Sequence, residues 1–170
     1  MGSEWVLDAV LAIILLICVI TDVKSRLIYN KVVFPGLAAA FVLQAVTDGG
    51  AGLLQAAGGF AVGLALLLIP FLTGGMGAGD VKLLALVGAF KGTMFVLVAG
   101  VYMAVIGAGM ALAALLIRRG ALGRLQWTAY YLAGMRSGIA LPLDLRGTFT
   151  SIGYPYGVAI AGGAICAMLF

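Results

Sequence analysis

Apolar positions along this chain run in long unbroken stretches, and four of them are long enough to cross the hydrocarbon core of a bilayer, about 30 Å thick. They cover about Trp5 to Thr21, Ala51 to Leu72, Thr93 to Ile117 and Tyr154 to Phe170. Two weaker stretches, about Val32 to Val46 and Val81 to Phe90, are short or interrupted by glycine. The pattern predicts one membrane-embedded domain over residues 1–170, an all-α bundle of six transmembrane helices at about 5–21, 32–46, 51–72, 81–90, 93–117 and 154–170.

Composition points the same way. Of the 170 residues 64% are hydrophobic and only 9% are charged, too few to build a water-facing surface, since an average soluble domain is about a quarter charged. The 26 glycines suit helices that must approach closely in lipid, where the hydrophobic effect does not drive them together. Glu4 and Asp8 stand where a signal peptide would be positive, so the first helix is expected to stay attached.

Charge decides the two weak stretches. If both cross, Lys24, Arg26, Lys31, Lys82, Arg118, Arg119, Arg124, Arg136 and Arg146 fall on one side, and Lys91 alone falls on the other. Basic residues accumulate on the cytoplasmic side, so six spans are expected in the inner membrane, with both termini outside the cytoplasm. Removing the 81–90 span would split the basic residues between the two faces. The connection 118–153 mixes basic, aromatic and apolar residues around Trp127, as helices lying in a membrane interface do, and is expected along the cytoplasmic surface.

The same residues exclude several chemistries. The chain has no histidine, and Cys18 and Cys166 sit apart within apolar runs, so neither a metal site, a disulfide framework nor a cofactor is indicated. The pI of about 9.3 comes from residues that anionic lipid headgroups attract, which leaves nucleic-acid binding without support.

Two carboxylates call for a reason. Asp22 and Asp80 each abut the cytoplasmic end of a predicted span, at similar depth, where an ionisable side chain is costly unless paired or functional. Asp80 stands in Gly77-Ala78-Gly79-Asp80-Val81-Lys82, and Gly77 and Gly79 permit close helix contact and unusual backbone angles beside it. Two carboxylates at a partly desolvated site can share one proton, leaving one to activate water and the other to protonate a scissile carbonyl. The structural reading is that Asp80 caps the helix it begins while Asp22 pairs with Lys24 or Arg26.

At these residues the sequence resembles the prepilin peptidases, membrane aspartic proteases of the GxGD type. Gly77 to Lys82 reproduces a GxGDxK motif, and Asp22-Val23-Lys24-Ser25-Arg26-Leu27-Ile28-Tyr29-Asn30 resembles the first-aspartate signature. Tyr154-Pro155-Tyr156-Gly157 resembles the opening of the last helix. The resemblance implies that Asp22 and Asp80 are the catalytic pair, that no cofactor is used, and that the substrate is a type IV prepilin or preflagellin-like precursor cut after a short basic leader. It marks Gly77, Gly79, Lys82, Lys24, Arg26, Asn30, Pro155, Tyr156 and Gly157 as supporting or substrate-proximal.

Topology alone also asks for Lys24, Arg26 and Lys82. Asn30 suits backbone capping at the entry to the second helix, and Tyr154 to Tyr156 suit an interfacial belt. Tyr29 departs from the family's usual proline, and the cysteine-bearing domain that many relatives carry is not in this sequence, so methylation is not expected. The short form is most similar to the peptidases of tight-adherence pili. A transporter or channel component using Asp22 and Asp80 for protons or cations is the alternative from another class. A presenilin-like protease fits less well, since Thr21 precedes Asp22 and no Pro-Ala-Leu motif occurs.

Overall fold

The computed structural model describes residues 2–117 and 156–169, and these form five helices without a strand among them. They are α1 (Gly2–Ser25), α2 (Asn30–Leu72), α3 (Ala78–Lys91), α4 (Thr93–Ile117) and α5 (Tyr156–Leu169). The expectations for 118–153, with Trp127, Arg118, Arg119, Arg124, Arg136 and Arg146, and for Tyr154 and Pro155, lie outside the described residues.

α1 shows how lipid shapes these helices. Leu7, Leu11, Ile14, Leu15, Cys18 and Asp22 recur at spacings of one helical face and are buried, while Ile13, Leu16, Ile17 and Ile20 are exposed on the other. In water that second face would be a large liability; in a bilayer it is the outer wall. Three helices are long and apolar enough to cross: residues Trp5–Ser25, Asn30–Leu72 and Thr93–Ala113. The helix α5 is apolar but shorter.

The six expected helices meet five elements because 32–46 and 51–72 fall in one continuous helical element, α2. That element is two arms. Gly49 breaks it at φ 58°, ψ −131°, a backbone state open to glycine alone. The rings of Phe41 and Phe60 lie 6.4 Å apart, whereas a straight helix would separate these residues by about 28 Å. The arms therefore fold back on each other. A Cβ at Gly49 would meet nothing within 4 Å, so Gly49→Ala tests backbone strain alone. It should cost about 1–3 kcal/mol in thermal unfolding, and an unchanged melting temperature would refute the strained turn.

α3 packs against both arms. Beside the first arm, the Lys82 ammonium donates to the Asn30 Oδ1 at 3.1 Å, and Gln44 Nε2 donates to the Phe90 carbonyl at 2.7 Å. Along the second arm the order reverses, with Gly59 against Gly88 and Gly63 against Leu84. These glycines let backbone meet backbone, since a Cβ at Gly59 or Gly88 would fall well inside contact with the other's carbonyl. Leu83 to Phe90 are all buried. A helix buried all round belongs to the centre of a bundle, and α3 is the core around which the rest is arranged. At 14 residues it is about 21 Å long, short of a full crossing on its own.

α5 completes the packing through small residues. Gly163 lies against the backbone of Ala99 and Met103 in α4, and Ala159, Ile160 and Ala164 are buried.

Candidate active site

α1 runs antiparallel to α3. Asp8, near the start of α1, pairs with Lys91 at the end of α3, while Asp22, near the end of α1, lies close enough to Asp80, at the start of α3, for their charges to interact. Both site carboxylates are buried, Asp22 at 5% and Asp80 at 8% relative exposure. Across the described residues, the only other buried polar side chain is Gln44.

Among the described residues, each carboxylate accepts from one main-chain donor. The Gly157 N–H, in the first turn of α5, donates to Asp22 Oδ2 at 2.8 Å. A Cβ at Gly157 would lie 2.7 Å from the same oxygen, so only glycine lets this N–H come so close. Asp80 is the third residue of α3 and reaches back to accept from the Gly77 N–H at 3.2 Å, while its own N–H donates to the Gly77 carbonyl at 3.2 Å. This is the carboxylate half of a capping box, favoured by the positive end of the helix dipole. Asp80 thus fulfils the structural reading as a cap while also feeling the charge of Asp22. Among the described residues the hydrogen bonds engage only the Oδ2 of each carboxylate.

The remaining residues sort by place. Arg26 sits just past α1 in the left-handed region, φ 52°, its N–H donating to the Asp22 carbonyl at 2.8 Å, and its charge acts on Asp22. This closes the helix as an αL cap. Lys24 is exposed in the last turn of α1. Lys82 donates to Asn30 and lies 5.4 Å from the Phe34 ring centroid. The expected capping by Asn30 is not what its side-chain oxygen does: it receives Lys82, and no side-chain bond caps α2. Tyr29, standing where proline is usual, adopts φ −76°, within the range a proline ring would fix.

Of the two properties expected at Gly77 and Gly79, unusual backbone angles are not used. Gly77 has φ −78°, ψ 149°, which any residue adopts, and neither glycine has a positive φ. Close contact is used at Gly79, whose Cβ would lie 3.0 Å from the Cβ of Ile28, in the turn after α1. Close approach, not backbone freedom, brings the first-aspartate segment onto the start of α3. Tyr156 opens α5 half-buried, and Pro155 lies outside the described residues.

A helical protein whose apolar helices hold two buried carboxylates at one end belongs to the class of multi-pass membrane proteins with a buried acidic pair. Comparison with known sequences places it further. The sequence model of the type IV leader peptidase family matches residues 9–112, more than half of the chain and inclusive of both aspartates; the chain belongs to this family. It is similar to the prepilin leader peptidase/N-methyltransferase of Bacillus subtilis (strain 168), 38% identical over 110 residues. That alignment covers 62% of this chain and 43% of the relative, so the matched region is under half of the relative's length. No solved structure gave a significant match.

Proposed function

We propose that this chain is a membrane aspartic endopeptidase that removes the short basic leader of type IV prepilins, Flp-like or preflagellin-like, with Asp22 and Asp80 as the catalytic pair. The observation that carries the reading is that two buried carboxylates from distant parts of the chain lie within electrostatic reach of each other, each anchored through Oδ2 by a glycine N–H. In this reading the second oxygen of each shares a proton and holds a water. One carboxylate takes a proton from the water as its oxygen attacks the scissile carbonyl carbon, and the other protonates the carbonyl oxygen. Collapse of the resulting gem-diol breaks the C–N bond, the amine leaving with a proton and the pair returning to its shared state.

In this reading the domain crosses the inner membrane six times, through α1, the two arms of α2, α3, α4 and α5. The fold-back at Gly49 supports counting α2 twice. Lys24, Arg26, Lys31 and Lys82 lie at the carboxylate ends of their helices, and Lys91 at the opposite end of α3. The positive-inside tendency then turns the site to the cytoplasm and both termini away from it.

The test is incubation of the purified protein in liposomes with a synthetic precursor, a short basic leader joined to an apolar segment of about 20 residues, followed by mass spectrometry. Cleavage at the leader boundary supports the reading. An intact precursor, with the protein eluting monodisperse, would leave the proton- or cation-binding alternative.

Gly157→Ala probes the anchoring of Asp22. Losing a hydrogen bond to a charged group costs about 1.5–3 kcal/mol, so cleavage should slow by about 10- to 100-fold with folding retained. Wild-type turnover in this variant would show that the Gly157 N–H does not position the carboxylate.

A further inference from the structure

Between the second arm of α2 and α4 runs an apolar cavity of about 610 Å³. Its walls include Leu66, Leu97 and Val101, all exposed on the side away from the core. Its floor is a face of α4 carrying Gly100, Ala104, Gly107, Ala108 and Ala111, which spans about 16 Å. Ala104 and Ala108 are themselves exposed. The cavity is a groove open sideways, toward the space that lipid fills.

Met76 and Tyr156 also line the groove. Met76 immediately precedes Gly77, which holds Asp80, and Tyr156 immediately precedes Gly157, which holds Asp22. The groove therefore reaches the neighbours of both anchoring glycines. We infer that it receives the apolar segment following the scissile bond of the precursor, so that α4 and the second arm of α2 seat a substrate helix from within the bilayer. This rests on the peptidase reading, and adds to it where the substrate lies.

Three observations select this occupant. A peptide bond held at the carboxylates delivers the next residues to Met76 and Tyr156, which line the groove. The sideways opening admits a partner already in the membrane without passage through water. The floor of small residues lets another helix backbone come close, which an acyl chain does not require.

The experiment places benzoylphenylalanine at Ala104 or Ala108, with Leu16 on the outer face of α1 as the control, and irradiates liposomes containing the synthetic precursor while its cleavage is followed in parallel. Adducts to the apolar segment should exceed those at Leu16 by about 10-fold or more, the gap expected when a specific seat competes with random encounter, and unlabelled precursor should suppress them. Precursor that is cleaved while Ala104 and Ala108 capture only lipid, or a second copy of this chain, would overturn the groove and leave the peptidase standing. Precursor that is captured but never cleaved would keep the groove and remove the peptidase. Neither cleavage nor capture would overturn both.

Discussion

Asp22→Asn and Asp80→Asn should each lower the rate of precursor cleavage by about 10³-fold or more, in line with the 10²- to 10⁴-fold usual for a positioned general acid or base. The two substitutions are nearly isosteric, and each keeps an oxygen able to accept from Gly157 or Gly77. What they remove is the ability to share a proton across the pair. A drop of that size is about 4 kcal/mol of transition-state stabilisation, more than a hydrogen bond alone supplies. The double variant should be little slower than either single one, because the two groups act as a unit. Either asparagine variant cutting within 10-fold of the wild type, with an unchanged elution profile, would mean that a different group performs the chemistry.

Gly88→Val should strongly destabilise the folded state. A branched side chain there would have to occupy the space of the Gly59 carbonyl, and both partners are backbone, so no rotamer change relieves the clash. Overpacking of this kind costs about 3 kcal/mol or more where nothing can move. Gly109→Val is the matched control: its Cβ would meet nothing within 4 Å, and it should stay within about 0.5 kcal/mol of the wild type. The comparison is made by thermal unfolding and size-exclusion elution. Equal stability of the two variants would mean that α3 does not touch the second arm of α2 through bare backbone.

The pair Asp22 and Asp80 was legible because charge in an apolar chain is rare and the two sit at matching ends of their stretches. Helices were legible from hydropathy wherever a stretch faces lipid on one side, as in α1 and α4. The fold-back of α2 was announced by Thr47-Asp48-Gly49-Gly50, a polar and glycine-rich break between apolar runs. What hydropathy does not encode is which main-chain group a side chain meets. The roles of Gly157 and Gly77 are N–H donations, and nothing in a glycine's identity distinguishes that from packing. The Lys82–Asn30 bond joins positions far apart in sequence and was read as two separate residues for the same reason. Gln44 went unremarked, although a single amide inside an apolar stretch is itself a sign of a buried partner; here that partner is the Phe90 carbonyl. Asp8 was read only against a signal peptide, yet it is the counter-charge of Lys91.

The shortness of α3 has a consequence for how the bundle is held together. A segment of 14 residues with a carboxylate near one end and a lysine at the other cannot hold itself in a bilayer as an independent helix. Its residence there is conferred by neighbours: the hairpin of α2, which supplies glycine-lined walls and the Gln44 amide, and α1, which supplies Asp8. α3 is therefore a dependent helix, whose place in the bundle is set by the helices packed around it. The proximity of Asp22 and Asp80 depends on the same packing, since Asp80 stands at the start of α3 and Asp22 near the end of α1.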